Sequence, residues 1–386
     1  MNIKSLLLGS AAGLVAVSGA QAADAIVYAE PEPVEYVRVC DMYGAGFFYI
    51  PGTETCLQVS GLVWYQMGTA DEGRNYHGFV SDQWNKSTRA RVNFDARSDT
   101  EWGTLRGYVR LQGDFNAYSN LLGPLNSRTG SSDGRGTIGF DQAFLELGGF
   151  RAGYTESAWV ASQGAGVAQF GSHTWGGLSY GYQQRQLISY TFGGASGFAA
   201  TIALEDDANN NYVPDVVGVV SYNQAWGGVW AKAAFDEDTG LSNGADALGL
   251  VVNETGDSSW AAQVGMQLNV PNAPGSSFRL IGYYADEANA YSVGSEWSVL
   301  ASYRQQFSQT FAASVGAQYF SGIHDVSSVT GLPLFGNESD LDGWQAEAAL
   351  IWTPVTNFEV RAEYVYTDID LRPSTNSGFL RFQRSF

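Results

Sequence analysis

The run Thr88-Arg89-Ala90-Arg91-Val92-Asn93-Phe94-Asp95-Ala96-Arg97 decides the fold. One face carries Ala90, Val92, Phe94 and Ala96, and the other carries Arg89, Arg91, Asn93, Asp95 and Arg97. This strict period of two sorts apolar from polar only on an extended strand. The next run, Thr104 to Gln112, repeats it with Leu105, Gly107, Val109 and Leu111 against Arg106, Tyr108, Arg110 and Gln112. The tetrapeptide Ser98-Asp99-Thr100-Glu101 joins the two as a predicted hairpin turn.

Working outward, sixteen such runs follow one another without helical periodicity. They begin near Thr55, Ser87, Trp102, Thr137, Arg151, Gln186, Gly197, Pro214, Gly227, Trp260, Ser276, Ser295, Thr310, Leu341, Asn357 and Gly378. Short connections such as Gly148-Gly149-Phe150 alternate with long ones such as Phe115 to Gly136, Glu156 to Arg185 and Ser321 to Asp340. An even strand number with short turns at one end and long loops at the other predicts an all-β fold, a 16-stranded antiparallel transmembrane β-barrel in the bacterial outer membrane. The face opposite the polar one carries small apolar groups flanked by Tyr and Trp, as in Trp344, Ala346, Ala348, Leu350 and Trp352, which suits lipid between two interfacial girdles. A soluble β-sandwich also alternates, but its outer face is polar.

Composition agrees. Of 386 residues only 15 % are charged while 14 % are aromatic, against about 25 % charged in an average soluble domain. Acidic residues number 39 against 20 basic, a formal charge of −19, which repels nucleic acid. Residues 1–22 read as a signal peptide, with Lys4, the apolar stretch Leu6 to Val17 and the cleavage sequence Ala20-Gln21-Ala22. Its removal leaves 364 residues and, with the loss of Lys4, a charge of −20. No other apolar run approaches the roughly 20 residues of a membrane-spanning helix. Residues 23–54 form an expected periplasmic segment and 55–386 the barrel. In an exported chain, Cys40 and Cys56 are expected to pair, closing a loop of about 15 residues worth about 3 kcal/mol in the chain-entropy account. His77, His173 and His324 lie in loop-like sequence, which leaves a zinc site and a Ser/His catalytic pair without partners.

The stretch Glu30 to Cys40 (EPEPVEYVRVC), followed by Tyr43 to Gly52 (YGAGFFYIPG), Thr55-Cys56-Leu57 and Val59-Ser60-Gly61, resembles the porins of alphaproteobacteria of the Rhizobium and Brucella group. The likeness extends to the C-terminus, Leu380 to Phe386, where the terminal Phe386 is similar to the aromatic assembly signal of outer-membrane barrels. The resemblance implies a homotrimeric, sixteen-stranded general-diffusion porin passing small hydrophilic solutes and ions, without cofactor or catalytic site. A substrate-specific channel, such as a sugar-selective one, is the alternative.

In such a channel, selectivity comes from pore width and lining charge. Residues 157–185 are the candidate inward-folded constriction loop; Ser157 to Gln184 contains no Asp, Glu, Lys or Arg, while Phe170, Trp175 and Tyr180 stand among Gly164, Gly166, Gly171, Gly176 and Gly177. An ordinary outward loop is the other reading. The candidate pore-lining charges are Arg89, Arg91, Arg97, Arg106 and Arg110, with Asp95, Asp141, Glu146 and Glu156 expected to compensate them or face them across the pore. Arg outnumbers Lys by 17 to 3, so the charges are fixed and planar. Remaining acids, Glu205-Asp206-Asp207, Asp236-Glu237-Asp238, Asp286-Glu287 and Asp368 to Asp370, are expected at loop bases as solvated charge, with divalent cations that bridge them to lipopolysaccharide as the second reading. Outward glycines Gly61 and Gly107 are candidates for flat subunit contact or for strand bending.

Overall fold

A computed structural model of the chain describes residues 38–70, 85–116, 137–161, 171–175, 178, 183–194, 196–206, 212–237, 258–326, 333–338, 341–370 and 373–386. The expected signal peptide and most of the long connections lie outside the described residues.

The strands are β1 (Phe47–Tyr49), β2 (Cys56–Ala70), β3 (Asn85–Thr100), β4 (Gly103–Asn116), β5 (Thr137–Leu147), β6 (Phe150–Glu156), β7 (Gln184–Gly193), β8 (Phe198–Asp206) and β9 (Asp215–Gln224). They continue as β10 (Gly227–Asp236), β11 (Ser259–Asn269), β12 (Ser277–Ala285), β13 (Ser295–Gln306), β14 (Phe311–Val326), β15 (Pro333–Glu338), β16 (Gly343–Val355), β17 (Phe358–Ile369) and β18 (Thr375–Ser385). Sixteen of them, β2 to β14 and β16 to β18, pair antiparallel with their neighbours in a closed ring. The ring closes where β18 pairs with β2, from Ser377 opposite Ala70 to Ser385 opposite Leu62. Closure follows from the solvent: an unpaired backbone group in lipid costs several kcal/mol, so a spanning sheet keeps no edge.

Alternation puts polar groups inside. On β16 the outward Trp344, Leu350 and Trp352 are exposed, while Gln345, Glu347, Ala349 and Ile351 are buried. Short turns match the sequence reading closely, with one shift: β3 runs on to Thr100, so Glu101-Trp102 makes the turn and Gly103, at φ 104°, supplies the left-handed residue that a side chain resists. Two sequence readings are corrected. Strand β14 continues to Val326 and pairs with the extra strand β15, so His324 sits in a strand. The alternation weakens there, which is why the sequence reads as loop.

The Cys40–Cys56 disulfide is present, with the Cα atoms 6.0 Å apart. Phe47 packs with both half-cystines, and Tyr43 and Tyr49 cover them. Residues Cys56 to Gln58 pair with β3 on one side and with β1 on the other. Strand β1 thus takes up the edge of β2 that β18 leaves open beyond Leu62.

Candidate functional site

The interior of β3 to β6 is a ladder of ion pairs. Period two aims Arg89, Arg91, Asp95 and Arg97 inward from β3, and register brings acids of the neighbouring strands level with them. Arg89 pairs with Asp114 at 2.6 Å. Asp95 holds Arg97 and Arg106, each at 2.8 Å, and Arg106 also reaches Glu146 at 2.8 Å. Glu146 takes Arg151 at 2.5 Å. Asp141 lies 3.6 Å from Arg91 and 3.5 Å from Arg110, and Glu156 lies 3.7 Å from Arg110. Aromatic rings back the guanidiniums: Arg106 and Arg110 lie over Tyr108, and Arg106 and Arg151 over Phe144. Fork geometry and ring stacking together fix each guanidinium, which a lysine could not reproduce.

All nine charged candidates are therefore on one wall. The acids interleave with the arginines and do not face them across the pore. Sequence reasoning missed two members, Asp114 and Arg151; both sit on the polar parity of their runs, and only the register reveals their partners.

The other wall carries the segment after β6. Its described residues reach residue after residue of the far strands. The Ala158 amide donates to Glu205 on β8 at 2.7 Å, and Lys232 on β10 donates to the Trp159 carbonyl. Arg279 on β12 donates to the carbonyls of Gly171 and Ser172. His173 sits between two strand serines, with Nδ1 2.7 Å from Ser302 Oγ and Nε2 2.8 Å from Ser277 Oγ. Thr174 donates to Glu347 on β16, and the Trp175 amide to Glu363 on β17 at 2.9 Å. Trp159, Val160 and Leu178 are buried. The segment is uncharged, so what it offers the ionisable groups of the wall is peptide and hydroxyl groups, while Glu363 also keeps an ion pair with Arg361 at 3.1 Å.

A second connection, after β12, meets the first. Tyr291 packs edge-on against Trp159, and its hydroxyl donates to Asp215 at 2.7 Å and lies 3.3 Å from Glu205. The Ala290 amide donates to Asp236 at 3.0 Å. Glu205 and Asp236, expected as exposed loop charge, are instead buried under these two connections. Charge runs at strand ends read alike whether a loop folds outward or over them, so this burial leaves no mark in the sequence. Among the described residues no group of three or more His, Cys, Asp or Glu side chains is placed to hold a metal ion.

The closed barrel has counterparts among known proteins. The family profile described as "Porin subfamily" matches residues 24–380. The chain belongs to this porin family. The porin is 36 % identical to Porin Omp2b of Brucella suis biovar 1 (strain 1330) over 410 residues, covering 100 % of both chains, and equally identical to that of Brucella melitensis biotype 1. In fold the porin is similar to the outer-membrane channel DcaP of Acinetobacter baumannii, at TM-score 0.60 and 14 % identity, covering 88 % of this chain and 99 % of that one. It is also similar to OmpT of Vibrio cholerae in its trimer form, at TM-score 0.56 and 12 % identity, covering 86 % and 100 %. The porin is a channel of the bacterial outer membrane, and its family and relatives point to a channel rather than to an enzyme.

Proposed function

We propose that this porin passes small hydrophilic solutes and ions by unselective, passive diffusion, with no reaction to catalyse, through a lumen narrowed by residues 157–185. In this reading Arg89, Arg91, Arg97, Arg106 and Arg110, with Asp95, Asp141, Glu146 and Glu156, line the free side of the constriction. One observation carries it: the bonds that Ala158, Trp159, Gly171, Ser172, His173, Thr174 and Trp175 make with the strands go to β8 to β17, away from the arginine ladder. Liposome swelling with sugars of increasing size, neutral and charged, tests it. Rates that fall with size and ignore identity are expected among the neutral sugars, with charge alone separating the others; a sharp dependence on identity at equal size and charge supports the substrate-specific alternative.

The homotrimer is part of the same proposal. The trimer form of Vibrio cholerae OmpT shares the fold, and Gly107 has open space around it on the outward face. Chemical crosslinking in native membranes checks the assembly. We also propose Phe386 as the assembly signal, and Asp286, Asp368 and Asp370 as the residues that share divalent cations with lipopolysaccharide. Such a cation draws most of its oxygen ligands from lipid phosphates, and a chelator is expected to lower thermal stability in lipopolysaccharide-containing membranes only.

A further inference from the structure

We propose that the open channel prefers anions, although the chain as a whole carries a formal charge of −19. The inference rests on the channel reading above and adds to it the sign of the favoured ion. Three observations carry it.

The first is how the ladder divides its charges between water and wall. Four guanidiniums share two carboxylates, Asp95 and Asp141, so the acids neutralise only part of what surrounds them. Those two acids have only 6 % of their side chains exposed, while the six arginines of the ladder expose 17 % to 29 %. These two anions are recessed, and the cations around them stand toward the solute. The remaining acids, Asp114, Glu146 and Glu156, reach 19 % to 21 % exposure and leave the wall with six positive groups against five negative.

The second is what the inward connections hide. Glu205, Asp215 and Asp236 are at most 1 % exposed, and Glu347 and Glu363 at most 5 %. Arg185, Lys232, Arg279, Arg361 and Arg381 are buried with them, so the covered set takes five negative and five positive groups out of the lumen and leaves its sign to the ladder. The third is the cover itself, since its described residues, 157–161, 171–175, 178 and 183–184, include no Asp, Glu, Lys or Arg. A solute in the lumen thus passes between a neutral surface and a guanidinium-rich one. Low-dielectric walls focus that field. The acids that give the chain its net charge lie largely in connections beyond the strands, and at 0.1 M salt a charge is screened over about 10 Å.

Zero-current potentials of the purified full-length protein in planar bilayers under a tenfold KCl gradient test the proposal. The expected sign is that of chloride preference, weakening as both salt concentrations are raised toward 1 M, where the screening length is about 3 Å. Arg91→Gln with Arg110→Gln is expected to shift the permeability ratio toward potassium by about twofold or more. Should that double variant fail to insert, Asp114→Asn reads the same balance with the opposite sign and is expected to raise chloride preference. Cation preference in the unaltered open channel overturns this inference and leaves the channel reading intact, as does a ratio that neither variant moves. A folded protein that conducts nothing overturns both.

Discussion

Gly61 shows how one residue serves two ends of the chain. Its amide and carbonyl pair with the backbone of Phe386 at 2.9 Å and 3.0 Å. A Cβ at Gly61 would collide with the Arg91 carbonyl and stand 2.7 Å from the Phe386 ring. The flat outward surface expected at Gly61 is thus already covered by the terminal aromatic ring. Gly61→Ala is expected to cost about 1–3 kcal/mol by overpacking, whereas Gly107→Ala, with nothing within 4 Å, is expected to be neutral. Heat-modifiable mobility of the folded barrel checks the pair. His173 makes a pH prediction at the same scale. Burial, aided by Arg279 and Arg304, pushes its pKa down to about 3 from an ordinary 6.5. Between those values the unfolded chain binds more protons than the folded one, so stability rises with pH across that window. Docking of residues 171–175 is expected to be complete above pH 6.5 and to weaken as pH falls toward 3. Amide exchange at these residues reads it, and His173→Gln should flatten the dependence.

At the scale of elements, the segment after β6 is held by buried apolar side chains as much as by its hydrogen bonds. Trp159 is the anchor that both inward connections share, lying against Tyr291 and beneath Lys232. Trp159→Ala is expected to remove about 3–5 kcal/mol of packing, which frees the segment from the wall without opening the barrel. Larger and noisier single-channel conductance is the expected record; an unchanged current would separate the segment from the constriction. The strands themselves were largely legible in the sequence, because lipid on one side and water on the other impose a two-residue period that few loops imitate. The run beginning near Gly197 becomes β8 from Phe198, and the one near Leu341 becomes β16 from Gly343. What the period does not contain is register. The pairing of Arg106 with both Asp95 and Glu146 depends on which residues of three strands stand level. The burial of Glu205 depends on two connections meeting over it.

Across the whole molecule the solvent, more than any single contact, sets what can change. Leu350 lies outward near the middle of β16 and is exposed. Leu350→Arg is expected to destabilise the barrel by about 2–4 kcal/mol, the cost of a cation near the bilayer midplane. Urea unfolding in lipid vesicles measures it. The net charge looks at first like a statement about the pore, yet its sign belongs to groups that the lumen buries or leaves to the connections. The seam between β18 and β2 carries a different consequence. Arg381 donates to Gln66 across it, 315 residues apart in the chain. Contacts between such distant residues form slowly, because their loop-closure entropy is lost before anything is gained. From the moment β2 is made, therefore, its free edge has to wait for β18, some 315 residues further along the chain. Until that strand arrives the cylinder cannot shut, and the interval is when a nascent molecule most needs an escort.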